Sequence, residues 1–166
     1  MVVINIAYTA PINPPGIPSV LSQDQVWAGL KLKAIRPQEF VPAIIACKVL
    51  HQEPFDSGDK IERLVTFASD AKLKEDADPV KEICYQYNSN LVVYHQGDGS
   101  TIYNMISTGQ DGGLHLTYSF EWRHPEIPEG SEEAKMLGEN HWRVARIAVE
   151  NSILTFRRLV NDGEIK

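Results

Sequence analysis

Between residues 44 and 123 the chain breaks into six short runs that alternate apolar and polar side chains, each followed by residues that tolerate turn dihedrals. The runs are Ile44 to His51, Ile61 to Ser69, Val80 to Tyr87, Leu91 to His95, Thr101 to Thr108 and Leu114 to Arg123. Asp56-Ser57-Gly58-Asp59, Asp76-Ala77-Asp78-Pro79, Asn88-Ser89-Asn90, Gly97-Asp98-Gly99 and Asp111-Gly112-Gly113 separate them. A period of two is that of a strand with one face covered, and links this short join only antiparallel neighbours. The pattern then changes: about Ser131 to Val160 reads as one helix, with Ser131 as N-cap, Glu132 and Glu133 in the first turn, Arg157 and Arg158 in the last and Gly163 beyond. At ~1.5 Å per residue it spans roughly 45 Å, enough to cross a whole sheet.

Ahead of the meander, Val2 to Thr9 is rich in β-branched residues and predicts an opening strand that ends at Pro11. Pro11-Ile12-Asn13-Pro14-Pro15-Gly16-Ile17-Pro18 forms a stiff loop. Ser22 with Gln25 makes a capping box for a short helix through Leu30, and Pro37-Gln38-Glu39-Phe40 starts another single turn. The expectation is one α+β domain over residues 1–166: an antiparallel sheet of about seven strands, two short helices after strand 1 and a long C-terminal helix.

At 100° per residue the long helix has a polar wedge of Glu139, Arg143, Glu150 and Arg157, edged by Lys135 and Arg146, which predicts the solvent face. The opposite side mixes Leu137, Val144, Ala148 and Leu159 with His141, Asn151, Ser152 and Thr155. Buried polar groups need partners, so this mixture suggests a cavity with polar handles. Trp142, Val149, Ile153, Phe156 and Val160 line a flank that reads as core, or alternatively as a homodimer contact.

The net charge of −6 excludes counterion-driven binding to nucleic acid or an anionic membrane. Cys47 and Cys84 sit in apolar or alternating runs, as buried thiols of a reducing compartment do. The N-terminus lacks a basic region before an apolar run, and no stretch reaches the roughly 20 apolar residues of a span. These features predict a cytoplasmic protein. His51, His95, His115, His124 and His141 lie on different elements without ligand spacing, and no phosphate loop, Cys-x-x-Cys or nucleophile elbow occurs. No metal and no cofactor is expected.

Four residues remain as candidates for acid–base chemistry. Arg63 shares a strand face with Ile61, Val65 and Phe67, which points it inward, although imperfect alternation leaves a surface position open. Glu82, between Val80 and Cys84, then lies near it across the sheet: either a buried structural ion pair or a proton-transferring group beside an anion-binding arginine. Tyr103 is a phenol able to donate to a carbonyl or enolate, or a plain strand residue. His115 stands beside Thr117 and Ser119 on the row opposite Leu116, Tyr118, Phe120 and Trp122; it is an acid–base candidate or an exposed strand residue.

The order of elements resembles the helix-grip fold of the START-like SRPBCC superfamily. Pro11-Ile12-Asn13-Pro14, Leu21 to Leu30, Phe40-Val41-Pro42-Ala43-Ile44, the run Leu116-Thr117-Tyr118-Ser119-Phe120-Glu121-Trp122-Arg123-His124-Pro125 and the helix end Phe156-Arg157-Arg158-Leu159-Val160 resemble its AtaL-like branch, similar to proteins of fungal secondary-metabolite clusters. The resemblance implies an internal pocket for a hydrophobic, polyketide-like molecule. It also implies a cytoplasmic, cofactor-independent cyclase that forms a ring by aldol chemistry or by lactonisation to an α-pyrone, with a polyketide synthase as a partner. In that picture Arg63 holds a carboxylate or enolate, Glu82 or His115 moves a proton and Tyr103 donates to an oxyanion, while Val65, Phe67, Met105, Tyr118, Phe120, Trp122, His141 and Asn151 line the pocket. The alternatives are a non-catalytic carrier of an apolar metabolite or lipid, and an interaction module acting through Trp142.

Overall fold

The computed structural model describes residues 1–55, 58–68 and 79–166. The strands are β1 (Val2–Pro11), β2 (Ile44–Phe55), β3 (Gly58–Phe67), β4 (Val80–Tyr87), β5 (Leu91–Gln96), β6 (Thr101–Thr108) and β7 (Leu114–His124). They form one antiparallel seven-stranded sheet in the order β1-β7-β6-β5-β4-β3-β2. The expected strand end at Ser69 and the turn residues Asp56, Ser57 and Asp76 to Asp78 lie outside the described residues. Side chains of β1, β4 and β7 alternate in burial along the strand, because helices cover only one face of the sheet.

Helix α1 (Gln23–Ile35) starts with both capping-box bonds, the Gln25 N–H donating to Ser22 Oγ and the Ser22 N–H to Gln25 Oε1. It runs five residues past the expected end at Leu30, since Lys31 to Ala34 favour helix and the first obstacle is Pro37. A single 3₁₀ turn, Pro37–Glu39, follows. Helix α2 (Glu132–Asn161) is capped by Ser131, whose Oγ accepts from the Ala134 N–H. It packs on β1 and β7 and also meets α1. The helices touch at Gly29, where a Cβ would lie 2.2 Å from Phe156 Cδ1; the absence of a side chain lets the Phe156 ring sit against the α1 backbone.

Val149, Ile153 and Phe156 of the flank stripe are core, whereas Trp142 is half exposed and packs edge-on against Tyr8, ring centroids 6.3 Å apart. Two expectations for α2 need correction. Val144, placed on the inward side, is 39% exposed. Arg157, placed in the solvent wedge, turns back to donate to the carbonyls of Ser19 and Ile12. The proline-rich loop has carbonyls that no strand partner satisfies, and the guanidinium supplies donors for them.

Edge strand β2 carries register shifts between Ile44 and Ala46 and between Val49 and His51, with Pro54 near its end. Bulges and proline blunt an edge against pairing with another chain.

Candidate functional site

Three cross-strand rows of side chains point from the sheet toward the helices. The register sets Arg63 beside Glu82 and Glu82 beside Gln96; Ile61, Cys84, Tyr94, Ile102 and Phe120 make the second row; Gln86, Val92, Asn104 and Tyr118 make the third. Alternation along each strand fixes which residues these are.

Arg63 and Glu82 are both buried and form the expected pair: the Arg63 Nε and Nη2 donate to Glu82 Oε2 at 2.9 and 2.6 Å. Glu82 Oε1 accepts from Gln96 at 2.7 Å. Arg63 Nη1 donates to the carbonyls of Lys33 and Ala34 at 3.0 and 2.7 Å. These carbonyls belong to the last turn of α1, which has no intrahelical donor for them and whose dipole favours a cation. The pair therefore serves as a C-terminal cap for α1 and fastens the helix to β3 and β4.

Lys33 was absent from the sequence candidates. It is buried on α1 with its Nζ 4.0 Å above the Tyr118 ring and 5.6 Å from the Tyr94 ring, while the Arg63 guanidinium lies 4.9 Å from the Tyr94 ring. Burial, and secondarily the Arg63 charge, bring its pKa down to about 7. The signal was present in the spacing Val26, Leu30, Lys33, one apolar stripe at i, i+4, i+7, and a helix ended at Leu30 hides it.

Four buried polar atoms on the inner face have no protein partner: Gln86 Oε1, the Tyr94 hydroxyl and both amide atoms of Asn104. Each such atom costs about 1–3 kcal/mol when buried unpaired. Natural interiors retain that cost mainly where a ligand or water takes the bond. Burial also pushes the Tyr94 phenol well up, so it stays protonated and able to donate.

Of the expected pocket residues, Val65 and Phe67 lie on β3 in the same alternation as Arg63, and Tyr118, Phe120 and Trp122 form a row on β7. Phe120 stacks on Trp122 at 4.3 Å, and Trp122 on the α2 residue His141 at 4.1 Å. Tyr118 donates to Ser152, which donates to the Ala148 carbonyl, and Thr155 donates to the Glu39 carbonyl. His141 bonds His124 through the two Nε2 atoms at 2.9 Å. The polar residues expected as cavity handles on α2 thus find partners within the protein, and Asn151 is half-buried.

Tyr103 and Met105 correct the earlier strand reading, while His115 lies on the row opposite the aromatic residues, as read from the sequence. Tyr103 and Met105 alternate with inward Asn104, and His115 precedes inward Leu116, so all three lie on the outer face, away from Arg63 and Glu82. Tyr103 is 39% exposed, and His115 bonds the Gly113 carbonyl through Nδ1.

Among the described residues, two open grooves stand out on the surface. One, of about 450 Å³, lies between β1 and α2 beside Ile4, Ile6 and Trp142. The other, of about 370 Å³, runs along α1 beside Ala28, Leu32 and Ile35 and reaches Ile61 and Gln86 of the inner rows. Among the described residues no three His, Cys, Asp or Glu side chains gather as metal ligands, and no helix is long and apolar enough to cross a membrane.

The family model described as Acetylaranotin biosynthesis cluster protein L matches residues 6–163. The chain belongs to this family. A relative from Aspergillus terreus (strain NIH 2624 / FGSC A1156) that carries this description is 24% identical over 163 residues, covering 98% of this chain and 93% of that protein. Solved structures share the fold at lower identity. The solution structure of KanY superposes with a TM-score of 0.65 at 14% identity, covering 95% of this chain and 99% of the other. The Zhui aromatase/cyclase from a Streptomyces species gives 0.59 at 16% over 95% and 96%. The di-domain aromatase/cyclase StfQ of the steffimycin pathway gives 0.62 at 12%, with 96% of this chain spanning 52% of that one. The fold is the helix grip of these solved structures.

The histidine pair gives a pH prediction. Burial, and secondarily the neighbouring His124, hold His141 at about 4, below its usual 6.5. Unfolding frees it to take up a proton, so its stability contribution is complete above about 6.5 and is lost as pH falls toward 4. Urea midpoints should drop across that window, and more shallowly for His141→Phe, which keeps a ring on Trp122 without the titration.

Proposed function

We propose that the protein is a cofactor-independent cyclase that folds a poly-β-keto chain against the inner face of its sheet and closes a ring by aldol condensation or by lactonisation to an α-pyrone. The observation that carries this reading is the set of unpartnered polar atoms on Gln86, Tyr94 and Asn104. They lie on an inner face otherwise lined by apolar and aromatic side chains such as Val92, Ile102, Tyr118 and Phe120. A chain of ketones offers the acceptors and enol donors those atoms lack, and its acidic α-protons and reactive carbonyls leave the protein mainly the task of positioning. The Tyr94 phenol and the Asn104 amide are placed to donate to an enolate or tetrahedral oxygen, and Arg63 adds positive potential beside Tyr94. Membership in a family described by a biosynthetic cluster supports a role in making a metabolite, and the aromatase/cyclases that share the fold suggest the reaction class.

The test follows ring formation from a linear polyketide acid or thioester, for wild type against buffer and for Tyr94→Phe. Removing an unpaired hydroxyl leaves no broken bond, so Tyr94→Phe should be as stable as wild type or more so by about 1 kcal/mol. Its rate of ring formation should fall on the order of 10²–10³-fold, the usual loss of one oxyanion donor. Equal acceleration by both proteins would remove Tyr94 from the site. Binding without turnover would favour the carrier reading, which the aromatic row Tyr118, Phe120 and Trp122 also suits.

A further inference from the structure

Two cations and one carboxylate meet inside this sheet. Glu82 is committed to Arg63 at 2.6 Å and to Gln96. Among the described residues Lys33 has no carboxylate partner; its Nζ has only the faces of Tyr118 and Tyr94. A second buried charge beside a guanidinium and without a counter-ion is unfavourable, and a buried lysine relieves this by losing its proton. The neutral amine then carries a lone pair. Of the two rings it touches, Tyr94 carries a hydroxyl that no protein atom satisfies, and Tyr118 neighbours the unsatisfied Asn104 amide in the third row. That row begins at Gln86, which borders the groove along α1, and continues through Val92 to Asn104 and Tyr118, the ring under the Lys33 amine.

We propose that Lys33 is an amine nucleophile that condenses with a ketone of the ligand, making the inner face an imine- and enamine-forming site for 1,3-dicarbonyl compounds. The substrate class rests on the cyclase reading, and the nucleophile on the geometry of α1 and the sheet. In the first step the Lys33 nitrogen bonds the ketone carbon. Both amine protons pass to the ketone oxygen, which leaves as water, the Tyr94 phenol being placed to relay one of them. The α-carbon of the imine then gives a proton to nitrogen, leaving an enamine whose carbon attacks a second carbonyl further along the chain. That carbonyl oxygen takes up a proton, and water hydrolyses the resulting imine to release the ring and restore the amine. No oxidant or metal enters the balance. The fall of the Lys33 pKa to about 7 under burial and the Arg63 charge leaves a substantial fraction of the amine free at neutral pH.

The probe is 2,4-pentanedione, added to the intact protein near neutral pH. The expected result is a single adduct of the diketone less one water, absorbing in the near ultraviolet as an enaminone and mapped by peptide mass to Lys33. Exposed Lys31, Lys48 and Lys135 serve as internal controls and remain unlabelled. Lys33→Met keeps the stem that packs on the rings, should give the wild-type circular dichroism, and should take no label. Absence of an adduct, or label spread over the exposed lysines and missing from Lys33, would overturn the inference. So would ring formation by Lys33→Met at the wild-type rate. Label at Lys33 in a protein that closes no ring would uphold the amine and sink the cyclase reading, so the two failures are separable.

Discussion

Glu82→Ala should destabilise the fold by about 3–5 kcal/mol, the cost of leaving a buried charge without its partner. Domains of this size have about 5–15 kcal/mol in total, so the variant should sit at the margin of folding at 37 °C. The loss is large here because Arg63 cannot move to solvent: two of its bonds hold the Lys33 and Ala34 carbonyls of α1. Replacing both partners separates the two contributions. Arg63→Met with Glu82→Leu removes the buried charges together and should recover most of the loss, since well-packed apolar substitutes for an ion pair are often neutral. A residual deficit of about 1–2 kcal/mol is expected, because the α1 carbonyls lose their donor. Urea unfolding of the single and double variants measures both quantities. A double variant no better than Glu82→Ala would mean that the cap on α1, and not the charge balance, is what the pair supplies.

Phe156→Ala should be comparably severe, at about 3–5 kcal/mol, since Phe156 is fully buried against Phe40 and the α1 backbone. Its coupling to Gly29 is the more discriminating measurement. In the wild-type background Gly29→Ala places a methyl 2.2 Å from the Phe156 ring and should cost about 1–3 kcal/mol through overpacking. In the Phe156→Ala background the clash is gone and the better helix propensity of alanine, about 1 kcal/mol over glycine, should make the same substitution neutral or stabilising. A double-mutant cycle by chemical denaturation reads the change of sign. Additive effects would show that α1 and α2 are not fixed by this contact.

The elements were legible because their periods differ. A stretch of alternating runs such as Leu114 to Arg123 cannot present one apolar face as a helix, and the Ser131 cap with Glu132 and Glu133 could only open one. The inner face was legible where alternation was clean: Arg63 with Glu82, and Tyr118 with Phe120 and Trp122, are on the side expected. It failed on β6, where Tyr103 and Met105 look more interior than Asn104 by composition, yet Asn104 is fully buried and the others face outward. An asparagine in a core violates the usual pattern, which is why phase was misjudged there and why the position draws attention to the site. Lys33 and Tyr94 were missed for another reason. Their meeting depends on how far α1 runs before Pro37 and on the angle at which it crosses β5 and β7, and sequence spacing within one element carries neither.

The register of the first strand has a consequence for how the chain is made. Val2 to Pro11 pair with His124 to His115, so β1 leaves the ribosome long before its ladder partner among the described residues exists. Through most of synthesis it carries Ile4, Ile6 and Tyr8 on an unpaired backbone, and α2, which covers it, comes later still. Closure across such a separation is slow relative to the local β4–β5 and β5–β6 hairpins, so the sheet should assemble from its middle outward and accept β1 last. The nascent chain is therefore most exposed to mispairing at β1 until residue 124 has emerged.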